Sequence, residues 1–261
     1  MQPTVPGPPL VFAHRGSSAA LPEHTLSAYL RALDEGADGL ECDVRLSRDG
    51  HLVCLHDRRL DRVSNGRGRV SGFTLDQLNR LDYGSWHGTG PAPLLTLERL
   101  LLAIREAGRP VRLLIETKHP SRFGPEVERR LVALLRRHRL AEPAPDDPVQ
   151  VSVMSFSALA LRRIRYLAPA LPTVLLLELL PPGLRLRRLP FGARIAGPSI
   201  ELVRARPGLV PALRAAGHQV YVWTVNEPAD LALVRQHRVD GVITDRPADA
   251  LAAVGRGGPE Q

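Results

Sequence analysis

Short apolar runs and longer stretches with apolar residues three and four apart alternate along most of the chain. Runs bounded by turn residues predict strands, and the 3.6-residue pattern predicts helices. Strands are expected over residues 10–13, 39–44, 113–116, 149–154, 173–177, 193–196, 220–224 and 241–244. A further run, 51–56, follows the second strand across Ser47-Arg48-Asp49-Gly50, whose Asp-Gly pair signals a hairpin. Helices are expected over 25–35, opened by Pro22-Glu23-His24-Thr25 and closed by Gly36, and near 96–107, 125–138, 157–167, 207–216, 228–236 and 247–254. Leaving the hairpin return aside, eight strands each followed by a crossover predict a parallel sheet closed into a (β/α)8 TIM barrel. The alternative, an open doubly wound sheet, lacks a G-x-G-x-x-G after its first strand.

Two stretches break the alternation. Residues 58–110 hold a Ser64-Asn65-Gly66-Arg67-Gly68 turn, a short helix at 74–81 and a loop rich in Gly, Trp and Pro. This is too little apolar material for a separate core, so it reads as a small insertion after strand two, and residues 1–261 read as a single domain. In residues 178–191 prolines bracket Leu184-Arg185-Leu186-Arg187-Arg188, a stretch expected to be a loop or short helix rather than a membrane contact.

Strand parity brings in the chemistry. Glu41 and Asp43 share one face of their strand while Leu40, Cys42 and Val44 share the other. His14-Arg15-Gly16 follows strand one, Glu116-Thr117-Lys118 ends strand three, Trp223 ends strand seven, and the hairpin brings His56 back to the same end. All lie at C-terminal strand ends, where barrel active sites are assembled. Three acids in one mouth, Glu41, Asp43 and Glu116, call for a compensating cation, and a hard dication, Mg2+ or Ca2+, suits their oxygens. His14 and His56 can serve as acid and base. Arg15 and Lys118 offer positive charge to a phosphoryl oxygen, and Trp223 can line the pocket beside the substrate. Asp245, after strand eight, is expected to cap the last helix.

The net charge of +8 belongs to arginines scattered over helices and loops, with only 4% aromatic residues to stack bases, which argues against nucleic acid as a partner. The same field can steer a small anionic phosphodiester. Lys118 is the single lysine among 35 basic residues. Cys42 and Cys54 sit among apolar neighbours, as buried free thiols do, which fits a reducing cytoplasm. No apolar run reaches membrane-spanning length, so stable membrane insertion is not expected, and residues 1–9 carry no export pattern.

Together His14-Arg15-Gly16, Pro22-Glu23-His24-Thr25, Glu41-x-Asp43, His56-Asp57, Glu116-x-Lys118 and Trp223-Thr224-Val225-Asn226 resemble the glycerophosphodiester phosphodiesterase family, over residues 11–250. The resemblance implies a (β/α)8 barrel with an insertion after strand two. It also implies hydrolysis of glycerophosphodiesters to glycerol 3-phosphate and an alcohol. By position it makes His14 and His56 the acid/base pair, Glu41, Asp43 and Glu116 the metal ligands, and Arg15 and Lys118 the phosphate contacts. Members of the family carry either Asn or His where this chain has His24. Two other readings stand beside it. One is a lysophospholipase D-type activity, which needs an apolar channel from residues 83–93 or 181–190. The other is a non-catalytic barrel that only binds phosphodiesters, which has no use for two histidines and three acids.

Overall fold

A computed structural model describes residues 7–144 and 146–256. The expectation about export rests partly on residues 1–6, which lie outside that range.

Nine strands form one sheet: β1 (Leu10–His14), β2 (Gly39–Leu46), β3 (Leu52–Cys54), β4 (Val111–Thr117), β5 (Val149–Ser155), β6 (Thr173–Leu177), β7 (Ile195–Pro198), β8 (Gln219–Val222) and β9 (Gly241–Thr244). Their order is β1-β9-β8-β7-β6-β5-β4-β2-β3, and β1 also pairs with β2. That last pairing closes a ring of eight parallel strands, a TIM barrel, with β3 outside it as the antiparallel return of a hairpin on β2. The hairpin turn is held where Ser47 Oγ accepts from the His51 amide at 2.9 Å and Gly50 takes φ +85°.

The α-helices among the described residues are α1 (Leu26–Asp34), α2 (Leu75–Leu78), α3 (Leu97–Glu106), α4 (Glu126–Arg137), α5 (Ala158–Leu167), α6 (Ile200–Ala205), α7 (Leu209–Ala215), α8 (Pro228–Gln236) and α9 (Pro247–Ala253). Threonine and serine N-caps fix where several begin: the side chains of Thr25, Thr96, Ser157 and Ser199 each accept an amide of the first turn. Helix α6 has no counterpart in the sequence reading. Gly197-Pro198 resembles a turn, yet both residues pair with β6, so the strand runs on and Ser199 opens a helix at once. The helix expected over 74–81 is confined to Leu75–Leu78, where Thr74 and Gln77 form a reciprocal capping box.

Two layers of apolar side chains hold the barrel. Outward-facing strand residues such as Leu40, Cys42, Val44, Leu113 and Ile115 pack against the helices. Inward-facing Phe12, Leu114, Met154, Val174, Leu176, Ile195, Tyr221 and Ile243 fill the interior, all buried. Phe12 and Tyr221 meet at 5.2 Å between ring centroids. Phe12 fits because its neighbours have no side chain: a Cβ on Gly39 would lie 2.6 Å from its ring. Between β3 and α3 the chain packs Leu60, Val63, Val70, Leu78 and Tyr83 around Val53. Cys42 and Cys54 are buried free thiols. No helix among the described residues is long and apolar enough to cross a membrane.

Candidate active site

On β1, β2 and β4 the inward face is apolar or without a side chain at the bottom and polar at the top. Gly39, Glu41 and Asp43 follow one another on β2, Leu114 and Glu116 on β4 with Lys118 just past its end, and Phe12 and His14 on β1. Register then brings the polar tops together: His14 stands opposite Glu41, and Asp43 opposite Glu116. One ligand oxygen from each of Glu41, Asp43 and Glu116 lies within 4.8 Å of the others, and all three residues are buried. Such a hard, buried oxygen set fits a divalent cation.

His14, Arg15, Glu41, His56, Glu116, Lys118 and Trp223 line one cavity of about 250 Å³, and Met154, Phe156, Leu176, Glu178, Thr224 and Ile243 complete its wall. The structure therefore gathers nearly all the residues singled out from the sequence. Asp43 lies just beneath, bonded to residues that line the cavity.

Backbone conformation makes this convergence possible. Arg15 is in the left-handed region at φ +57°, and its amide donates to the Glu41 carbonyl at 3.1 Å and to Glu41 Oε2 at 3.2 Å. Gly16 follows at φ +89°, where a Cβ would meet the Ala28 backbone at 2.7 Å. His24 is left-handed as well, at φ +59°. Left-handed residues other than glycine are costly and cluster at functional sites.

Charges are tightly interlocked. Lys118 Nζ lies 3.0 Å from Asp43 Oδ1 and 2.8 Å from Glu116 Oε1. Arg15 Nε lies 3.1 Å from Asp43 Oδ2 without the alignment of a hydrogen bond, while its Nη1 donates to Glu23 at 3.1 Å. Burial alone would raise all three acids, yet Lys118, His24 and Arg15 hold Asp43 well below the usual carboxylate range. Burial and the neighbouring Asp43 charge instead drive Glu41 well up, and push Glu116 up to about 8. The site thus sets one acid held well down beside two whose carboxyls are driven up.

Each histidine of the cavity has its own aspartate. His56 Nδ1 donates to Asp57 at 2.7 Å, and Arg62 Nε donates to the other Asp57 oxygen at 2.7 Å. Burial, then the charges of Lys118 and Arg15, push His56 down to about 4 against the opposing pull of Asp43. Its backbone is gripped by Arg45, whose Nε donates to the His56 carbonyl at 2.8 Å. His14 Nδ1 donates to Asp245 at 2.7 Å. Asp245 is therefore not the cap of α9, contrary to the sequence expectation; the cap position belongs to Arg246. Its carboxylate instead also accepts from Ser18 Oγ at 2.8 Å and Asn226 Nδ2 at 2.6 Å, and despite burial these bonds hold it far below the usual range. Strand parity carried this signal: Gly241, Ile243 and Asp245 follow one another on the inward side.

His24 reaches none of the cavity surface. The ionised Asp43 Oδ2 accepts from His24 Nε2–H at 2.9 Å. On the other side of the ring Nδ1 lies 2.8 Å from the Tyr29 hydroxyl, which also reaches the Glu41 carbonyl at 3.0 Å. His24 is a brace beneath the acids. Trp223 donates from Nε1 to the Gly197 carbonyl at 2.6 Å, which fixes its ring in the wall.

A barrel whose C-terminal mouth unites acids, cations and two aspartate-backed histidines has the architecture of a phosphoester-handling enzyme. Residues 14–249 match the profile of the glycerophosphoryl diester phosphodiesterase family, and the chain belongs to that family and is an enzyme of its class. It is 50% identical over 259 residues to a probable glycerophosphodiester phosphodiesterase 1 of Mycobacterium tuberculosis, covering 94% of this chain and 92% of the relative. It is 34% identical to a glycerophosphodiester phosphodiesterase of Caldanaerobacter subterraneus, covering 95% and 99%. Among solved structures, an Oleispira antarctica phosphodiesterase in complex with the product sn-glycerol-3-phosphate superposes with a TM-score of 0.83 at 27% identity, covering 95% of this chain and 97% of that one.

Proposed function

We propose that the chain hydrolyses glycerophosphodiesters to glycerol 3-phosphate and an alcohol, with a divalent cation, Mg2+ or Ca2+, held by Glu41, Asp43 and Glu116, and with His14 and His56 moving the protons. The observation that carries this reading is the single cavity on which a three-acid cluster, two cations and two aspartate-backed histidines converge. The product named for the Oleispira antarctica relative supports the same substrate class.

A bound dication supplies Lewis-acid polarisation of a non-bridging phosphoryl oxygen. Arg15 and Lys118 add fixed positive charge to that side of the cavity, where negative charge grows as the fifth oxygen adds. His56 is the proposed base: held neutral, with Nδ1–H on Asp57, it presents Nε2 to a nucleophilic water or to the substrate's own glycerol hydroxyl. His14 is the proposed acid. The ionised Asp245 on its Nδ1 supports the proton that Nε2 passes to the leaving alkoxide. Trp223 walls the cavity beside the organic part of the substrate. The buried free thiols support a reducing compartment such as the cytoplasm.

A lysophospholipase D-type activity receives less support, because no residue of 83–93 or 181–190 lines the cavity. Release of glycerol 3-phosphate from glycerophosphocholine, compared with release of choline from lysophosphatidylcholine, separates the two activities from each other and from a mere binder. Turnover of the first substrate should cease on exhaustive chelation and return with Mg2+ or Ca2+; full activity in metal-free protein would refute the role of the acids. His56→Asn should lower kcat by about 10² to 10⁴ while glycerol 3-phosphate binding persists. A matching collapse of ligand binding and thermal stability would make His56 structural instead.

A further inference from the structure

The cavity is chemically two-sided. Its cations, Arg15 and Lys118, stand at the ends of β1 and β4, with the acids on β2 and β4 between them. Round the ring, β6 is as far from β1 through β9, β8 and β7 as it is through β2, β4 and β5, so the end of β6 faces the end of β1 across the mouth. The residue there is Glu178, inward by the same alternation as buried Val174 and Leu176 and part of the cavity wall. Its carboxylate forms no hydrogen bond or ion pair among the described residues, although Arg185, Arg187 and Arg188 share its loop. Every other acid at the mouth is engaged: Glu41 by the Arg15 amide, Asp43 and Glu116 by Lys118, Asp57 by Arg62 and Asp245 by His14.

Beside Glu178 stand two aromatic rings. Phe156 is 45% exposed, and its ring lies 5.4 Å from that of Trp223, edge to face. With Trp223 pinned to Gly197, these rings form a π surface that faces Arg15 across the mouth and begins at Phe156, just past the strand next to the one that Lys118 follows. A phosphodiester whose phosphoryl group engages Arg15 and Lys118 has room to extend one of its two arms along this wall, since all these residues line the one cavity. Aromatic faces and an unpaired carboxylate attract a positive charge, and a quaternary or primary ammonium satisfies both together.

We infer that Glu178, Phe156 and Trp223 form a subsite for a cationic leaving alcohol, so that among glycerophosphodiesters the enzyme favours those whose head group bears an ammonium. This inference rests on the glycerophosphodiester reading above and adds the class of head group. The subsite acts on the arm that departs.

The test compares kcat/KM for glycerophosphocholine and for glycerophosphoglycerol, which is uncharged in its head group, in the full chain loaded with metal. The native chain should favour the choline ester by about tenfold, the scale of one cation–π contact together with one half-exposed charge pair. Glu178→Gln should cut that ratio to about threefold, Phe156→Leu should lower it by a similar factor, and Glu178→Lys should reverse it. Added salt should narrow the native ratio, since the pairing is open to solvent. Equal rates on the two esters in the native chain, or a ratio that survives Glu178→Lys, would overturn the subsite while leaving hydrolysis established. Failure to release glycerol 3-phosphate from either ester would instead overturn the underlying reading.

Discussion

Glu116 shows how one residue ties metal binding to pH. Burial and Asp43 push its carboxyl up to about 8, whereas an unfolded glutamate titrates near 4.5. Between these values the metal-free folded chain holds a proton that the unfolded chain has released, so stability from this group is complete below 4.5 and is lost as the pH rises through 8. His56, held down at about 4, works in the opposite sense, but only below its ordinary 6.5. The range from pH 6.5 to 8 therefore isolates the acids, and chelated protein should lose about 1 to 2 kcal/mol across it for each acid that still holds its proton. Thermal unfolding at several pH values reads this directly, and an unchanged midpoint would mean the acids are already ionised. Added Mg2+ or Ca2+ displaces the protons of these carboxyls, so ion affinity should rise by about tenfold per pH unit for each acid still protonated. Lys118 supplies a second residue-scale test. Its ammonium bridges Asp43 and Glu116 as a compact charge, whereas a guanidinium would span both carboxylates as a planar fork and compete with the cation. Lys118→Arg should thus depress kcat/KM almost as far as Lys118→Ala and weaken metal binding as well; near-normal turnover across a metal titration would show that charge alone suffices.

At the scale of elements, strand parity made the site legible. Alternation on β2 fixed which way Glu41 and Asp43 point, and the hairpin that returns His56 was readable from Asp49-Gly50. The same rule, extended past β9, would have turned Asp245 inward; the competing signal was an acid just before the Pro247 that opens a helix, a common cap pattern. The Tyr29–His24–Asp43 brace was not readable, because it joins a left-handed residue, a helix and a strand through contacts that exist only after folding. Helix α6 was hidden by Gly197-Pro198, whose turn-like composition was overridden by pairing with β6. What parity does not reveal is the space each inward position has. Gly39 begins β2 where a Cβ would fall 2.4 Å from the Arg112 carbonyl and 2.6 Å from the Phe12 ring. Gly39→Ala should therefore destabilise the fold by about 1 to 3 kcal/mol, measured by denaturant unfolding. Paired with Phe12→Leu it should recover part of that loss, and no recovery would place the whole cost on the Arg112 backbone.

For the molecule as a whole, the alternation of strands and crossovers announced the barrel before any side-chain contact was known, because only a closed parallel ring buries eight such strands without leaving two edges. The ring also decides how the site communicates with solvent. Phe12, Tyr221, Val174, Ile195 and Ile243 pack the interior below the acids, so the barrel is a cup and not a tube. A cup has one doorway. The phosphorylated product, still held by the groups that gripped the diester, must back out through the opening by which the next substrate arrives. Glycerol 3-phosphate should accordingly inhibit competitively, raising the apparent KM linearly with its concentration while kcat stays constant, and a noncompetitive pattern in initial-rate kinetics would mean that it binds a form of the enzyme for which the diester does not compete. The free alcohol, which lacks the phosphoryl group, should inhibit far less. Turnover in a cell would then follow the ratio of diester to product as much as the amount of diester, and the enzyme would slow by itself wherever glycerol 3-phosphate accumulates.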